Sequence, residues 1–193
     1  MKKVLVLLGS PRKKGNSAIL ADQIAKGAKS AKAKVETIYL QGMKIAPCKA
    51  CDACRKKSTK GCSIKDDMQG LYPKVIEADA LVIASPVYWF TMSAQIKIFL
   101  DRLHALPGYK EDSLIGKRVA ITMTYGGEDP FDSGCVNALR TFQDAFAYKE
   151  CRIVGMVYGS AMQVGQIRTN EKVMEEAFAL GRKLVSEDDS RLL

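Results

Sequence analysis

Residues 3–17 read Lys3-Val4-Leu5-Val6-Leu7-Leu8-Gly9-Ser10-Pro11-Arg12-Lys13-Lys14-Gly15-Asn16-Ser17. Val4–Leu8 is an apolar run closed by glycine, which reads as a buried strand. The next stretch is polar, with two glycines and a proline, and reads as a loop. From Ser17 to Ser30 the residues Ile19, Leu20, Ile24 and Ala28 recur at helical spacing. A strand feeding a short polar loop and then a helix is the opening unit of an α/β protein.

The same alternation continues outward. Further strands are predicted over Val35–Leu40, Ala80–Ala84, Arg118–Thr124 and Arg152–Tyr158. Helices are predicted over a segment capped by Asp66 or Asp67 and running to Glu77, and over Ser93–Leu106, Phe131–Ala147 and Asn170–Ser186. Pro73 is expected to kink or delay the first of these, and the charged tail Glu187–Leu193 to fray. Near-continuous apolar strands separated by amphipathic helices imply a parallel sheet covered on both faces. For five strands the expected order is 2-1-3-4-5, with the ligand crevice beyond their carboxyl ends where the order reverses. With no repeat and no linker, residues 1–193 read as one domain.

The loop Gly9–Ser17 then acquires a chemical meaning. Unpaired N–H groups at a helix start, with hydroxyl and amide side chains beside them, suit a phosphate monoester. Ser10, Asn16 and Ser17 offer donors, Ala18 lies in the first turn, and Arg12 adds a charged contact at the rim. A Walker A loop has four residues between its glycines and then Lys; here five intervene and Asn16 follows. The dinucleotide fingerprint is also absent, so ATP hydrolysis and tightly held NAD are disfavoured. The alternative is an ordinary turn with Ser17 as helix cap.

The loop after the third strand, Ser85-Pro86-Val87-Tyr88-Trp89-Phe90, carries three consecutive aromatics beside the expected crevice. A flat aromatic ligand would cover them; a hydrophobic plug or subunit contact is the alternative. After the fourth strand, Thr124-Tyr125-Gly126-Gly127 permits close backbone approach to a ligand.

Composition bounds the rest. The chain has 193 residues, 47% of them hydrophobic, enough for a packed core. No apolar stretch reaches the roughly 18–20 residues of a membrane span, and the N-terminus lacks a secretory pattern, which predicts a cytoplasmic protein without a membrane partner. The net charge of +9 is spread along the chain, with a modest concentration between Lys44 and Lys65 that contains no aromatic residue. The stacking pattern of a nucleic-acid binder is therefore missing. Of six cysteines, Cys48, Cys51, Cys54 and Cys62 fall within the 44–65 insertion, which points to metal or redox chemistry in a reducing compartment. Cys135 and Cys151 read as buried thiols. His104, the single histidine, has no partner pattern for catalysis.

With these loops read, the chain resembles the NAD(P)H-dependent FMN reductase group of flavodoxin-like proteins. The resemblance rests on Gly9-Ser10-Pro11-Arg12 with Gly15-Asn16-Ser17, on Ser85-Pro86-Val87-Tyr88-Trp89, and on Ser93-Ala94-Gln95-Ile96-Lys97 with Phe99-Leu100-Asp101-Arg102. It implies a flavodoxin-like three-layer α/β sandwich in which Ser10, Arg12, Asn16 and Ser17 hold the FMN phosphate. Pro86, Val87, Tyr88 and Trp89 would line the flavin ring, and Thr124, Tyr125, Gly126 and Gly127 its other side or edge. Lys97 and the Asp101-Arg102 pair would serve as structural support or subunit contact. NAD(P)H is the implied co-substrate, with a small-molecule or protein electron donor and acceptor, and a homo-dimer or homo-tetramer the implied assembly. The spacing Cys48-x2-Cys51-x2-Cys54-x7-Cys62 is similar to that of the iron–sulfur flavoproteins of this group, which implies one [4Fe–4S] cluster on these four thiolates. Lys49, Arg55, Lys56, Lys57 and Lys60 would offset its charge. Four-coordinate zinc and no metal at all are the open alternatives. Function is thus expected to be FMN-dependent electron transfer, or a flavin or quinone reductase without a cluster, or a redox-sensing flavin module.

Overall fold

A computed structural model describes residues 1–58 and 60–186. Among these, the strands are β1 (Lys3–Leu8), β2 (Lys34–Tyr39), β3 (Ala80–Tyr88), β4 (Thr91–Met92), β5 (Arg118–Tyr125) and β6 (Arg152–Ser160). The helices are α1 (Asn16–Ser30), α2 (Met68–Glu77), α3 (Ala94–Arg102), α4 (Cys135–Tyr148) and α5 (Glu171–Val185). The parallel strands lie in the order β2-β1-β3-β5-β6, and β4 pairs antiparallel with β3 outside that path. The expected five strands therefore miss a sixth, the two-residue β4, which is too short to leave a periodic signal.

The strand alternation divides the core into two layers. Leu5, Leu7, Leu81, Ile83, Val119, Ile121 and Met123 face α2, α3 and α4. Val4, Val6, Val82, Ala84, Ala120, Val154 and Val157 face α1 and α5. This is a three-layer α/β sandwich of flavodoxin-like form. The strand ends are level: Leu8 stands opposite Ala84, Ala84 opposite Thr122, and Pro86 opposite Thr124. The loops after β1, β3 and β5 thus leave the sheet at one height and can share one crevice.

Several predicted boundaries shift for local reasons. The Ser93–Leu106 helix ends at Arg102 and passes into a 3-10 turn over Leu103–Gly108, which contains Pro107. The helix expected from Phe131 begins at Cys135, because Gly134 takes a left-handed φ of 74°. Pro73 sits inside α2 and forfeits one helical N–H without ending it. Asn170 caps α5 as predicted, accepting from the Val173 N–H at 3.2 Å. The tail Glu187–Leu193 lies outside the described residues.

Candidate functional site

The loop after β1 is folded on itself. The Arg12 N–H donates to Ser10 Oγ at 3.0 Å, the Gly15 N–H donates to the Arg12 carbonyl at 2.9 Å, and the Tyr39 hydroxyl pins the Pro11 carbonyl at 2.5 Å. Gly15, not Ser17, is the N-cap of α1; it offers no side chain to the first turn, and that turn contains no acidic residue. The first N–H groups of α1 therefore have no intrahelical acceptor and carry the positive end of the helix dipole. The Ser10 and Ser17 side chains are buried beside them. A Cβ at Gly15 would stand 3.0 Å from Ser10 Oγ and 3.1 Å from the Arg12 carbonyl, so a side chain there would be tightly packed and its neighbours would have to give by a few tenths of an ångström.

The third-strand loop is a tight hairpin. Val87 pairs with Met92 and Tyr88 with Thr91, leaving Trp89 and Phe90 as the two turn residues. Both have positive φ, 49° and 64°, the geometry of a type I′ turn that Asn-Gly adopts without strain. Two aromatics there cost roughly 1–2 kcal/mol each. The turn is held from α4: the Asn137 amide donates to the Phe90 carbonyl at 3.2 Å, and Gly134 packs so closely that a Cβ would lie 2.6 Å from Phe90 Cα.

Ser10, Arg12, Asn16, Ser17, Pro86, Val87, Tyr88, Thr124, Tyr125 and Gly126 meet in one crevice of about 170 Å³. Three residues expected there stand outside its lining. Trp89 is 92% exposed at the hairpin tip because its turn conformation carries it off the strand. Ala18 packs into the α1 side of the core. The Gly127 carbonyl accepts from Ser160 Oγ at 2.6 Å. The crevice gains a wall not anticipated from sequence: Ala161, Met162 and Val164, from the loop after β6. Asn16 holds that wall. Its Nδ2 donates to the Ala161 and Gln163 carbonyls, and its Oδ1 accepts from the Gly165 N–H. The Asn16 side chain is thus committed to the loop rather than free for a ligand. Burial, then the nearby Cys135, Tyr158 and Asp129, push the Tyr125 phenol up.

The cysteine insertion lines a second cavity. Cys48, Cys51, Cys54 and Cys62 all line one cavity of about 660 Å³, with Arg102, Leu103 and Phe146 in its wall. Cys48 and Cys51 are exposed, Cys54 and Cys62 half-buried. Burial and the neighbouring Cys62 push the Cys54 thiol up. The Ser63 hydroxyl, 3.3 Å from Cys51 Sγ, and the Ala53 backbone lower the Cys51 thiol. His104 Nε2 accepts from Arg55 Nε at 3.2 Å on the same wall. Among the described residues no three His, Cys, Asp or Glu side chains are close enough to hold a single metal ion. Cys135 is fully buried and Cys151 half-buried; burial pushes their thiols up to about 12 and about 11.

No helix among the described residues is long and apolar enough to cross a membrane.

An iron–sulfur flavoprotein of Methanocaldococcus jannaschii is 34% identical over 153 residues, 79% of this chain and 75% of that protein. One of Archaeoglobus fulgidus is 37% identical over 125 residues, 65% of this chain and 55% of that protein. The chain spans about 55–64% of the length of four such relatives. The NAD(P)H:quinone oxidoreductase of Methanothermobacter marburgensis superposes with a TM-score of 0.73 at 18% identity, covering 97% of this chain and 98% of the other. A flavodoxin from the domain Archaea gives 0.58 at 17% identity, over 95% and 96%; these likenesses show the fold. The model of the NADPH-dependent FMN reductase family matches residues 2–156, and the chain belongs to that family.

Proposed function

We propose that the chain is an FMN-dependent oxidoreductase that also holds a [4Fe–4S] cluster. The observation that carries the reading is the convergence of three loops on one crevice around an uncapped helix N-terminus. The phosphate would be held by the first N–H groups of α1 and by the buried Ser10 and Ser17 hydroxyls, with Arg12 at the rim. Pro86, Val87 and Tyr88 would orient one face of the flavin and Thr124, Tyr125 and Gly126 the other side or edge. Met162 and Val164 would limit water at the open end. Gly127, Ala18 and Trp89 would support these loops from outside the lining.

The donor set of the second site suits a polynuclear group. A cubane holds its thiolates around a body larger than one ion, whereas tetrahedral zinc draws four ligands to about 2.3 Å from a single centre. Four cysteines line one cavity, and relatives at 34% and 37% identity carry the name iron–sulfur flavoprotein, which supports the former. When bound, the two groups supply hydride and one-electron chemistry, and electron exchange between them is the proposed function. NAD(P)H is the co-substrate class that the family description suggests, with a small molecule or redox protein at the other end, in a cytoplasmic homo-oligomer of single-domain chains. A second reading, a flavin or quinone reductase without a cluster, is favoured by the exposure of Cys48 and Cys51.

The two readings separate in an ultraviolet–visible spectrum with iron and sulfide analysis on anaerobically purified protein. Flavin bands with about four irons per chain support the cluster. Flavin bands without iron or sulfide after reconstitution leave the simple reductase. A colourless protein that binds no FMN on titration overturns both.

A further inference from the structure

The four cysteines are not equivalent. Cys62 is fixed at three points. Its N–H donates to the Tyr109 hydroxyl at 3.1 Å, its carbonyl accepts from Gln69 Nε2 at 3.1 Å, and its Sγ accepts from Arg102 Nη2 at 3.5 Å. Tyr109 in turn donates to Gln69 Oε1 at 2.6 Å and stacks on Tyr72 with ring centroids 4.5 Å apart. Cys48 and Cys51 stand exposed on the other arm of the loop.

Arg102 organises this arrangement. It is 1% exposed, and its Nη1 donates to the Ala46 carbonyl at 2.8 Å and to Asp66 Oδ2 at 2.6 Å. Its Nη2 donates to Asp66 Oδ1 at 3.1 Å as well as to Cys62. One side chain therefore ties the entrance of the insertion at Ala46, its exit at Asp66, and the sulfur of Cys62. Its Nε–H has no hydrogen-bond partner, although it is buried. A buried ion pair seldom adds net stability over a well-packed apolar alternative, so an arginine at the wall of this cavity asks for another reason. Hydrogen bonds and positive charge directed at sulfur raise the reduction potential of a thiolate-bound cluster.

Building on the cluster assignment above, we propose that Arg102 is the positioning and charge-balancing residue of the four-cysteine site. It presets Cys62 as the fixed ligand of the set that Cys48, Cys51 and Cys54 complete. It also donates, through Nη2, to the sulfur side of the bound group.

The test uses the full chain, reconstituted anaerobically with iron and sulfide, and compares wild type with Arg102→Lys. Lysine keeps a charge for Asp66 but lacks the planar fork that reaches Asp66, Ala46 and Cys62 together. The variant is expected to load a cluster whose reduction equilibrium is about tenfold less favourable, roughly 59 mV lower for a one-electron couple. Its Fe–S(Cys) resonance Raman bands should lose their sensitivity to deuterium exchange. A merely structural arginine would lower the melting temperature and leave both readouts unchanged, which overturns the proposal. If Arg102→Lys does not fold, the pair Arg102→Gln with Asp66→Asn keeps an amide–amide contact without buried charge; a lower potential supports the proposal and an unshifted one overturns it. A wild-type chain that takes up no iron and sulfide overturns instead the cluster assignment on which it rests.

Discussion

Asn16 Nδ2 and the Gln163 carbonyl lie 2.9 Å apart, although 147 positions separate them in sequence. The bond couples the first turn of α1 to the wall formed after β6. The same amide reaches the Ala161 carbonyl at 3.2 Å, and its oxygen accepts the Gly165 N–H at 2.8 Å. Replacing Asn16 by Asp removes both donors and faces a carboxylate toward two carbonyls. Asn16→Asp is expected to cost about 1–3 kcal/mol in urea unfolding and to weaken FMN binding in a fluorescence titration. An unchanged FMN affinity would remove this latch from the site.

Gly134 supports the crevice from the opposite side. Its φ of 74° and its approach to Phe90 leave no room for a side chain. Gly134→Ala is expected to destabilise the protein by about 1–3 kcal/mol. It should also shift the hairpin that carries Pro86–Tyr88, raising the FMN dissociation constant. Thermal unfolding and FMN titration on the same sample report the two effects separately.

The hairpin tip offers the converse experiment. Trp89 and Phe90 hold positive φ at the cost of steric strain. The double change Trp89→Asn with Phe90→Gly supplies residues that accept this conformation readily. A gain of about 1–3 kcal/mol is expected, with FMN affinity of the isolated chain nearly unchanged because Trp89 is outside the crevice lining. A large loss of affinity would return Trp89 to the flavin site.

Asp66 sets an acid limit on the insertion. Burial alone would push its carboxyl up. The Arg102 hydrogen bonds, the Ala46 N–H and the charge of Arg102 together hold it below the usual carboxylate range. A lowered folded-state value means that the stabilisation is complete above the ordinary carboxylate pKa of about 4 and is lost as pH falls through the depressed value. Asp66→Asn should therefore cost on the order of 3 kcal/mol at neutral pH, where it leaves Arg102 without its counter-charge. That difference should shrink below about pH 4. Unfolding free energies of both proteins across this range check the trend, and a difference that stays constant with pH would contradict it.

The parallel strands and the helices packed on them were legible because their signals are local. Val4–Leu7 and Ala80–Ala84 are apolar runs, α1 shows its buried face at helical spacing, and Asn170 caps α5 through its own third neighbour. The meeting of the loops after β1, β3 and β5 followed from strand order alone, since parallel strands in register deliver their carboxyl ends to one edge. Four cysteines in one insertion were legible as a local cluster for a similar reason, and they line one cavity.

What escaped the sequence depends on distant partners. The Trp89-Phe90 turn carries no hairpin signature, and its conformation is imposed by Gly134 and Asn137 from α4. Asn16 reads as a ligand donor until the loop after β6 closes on it. Arg102 reads as one polar residue near a helix end until Ala46, Cys62 and Asp66 gather around its guanidinium. Periodicity and turn chemistry, acting over a few residues, decide which elements form and in what order. The hydrogen bonds of Arg102 to Asp66 and of Asn16 to Gly165 join residues 36 and 149 positions apart, and only the folded chain brings those groups within bonding distance.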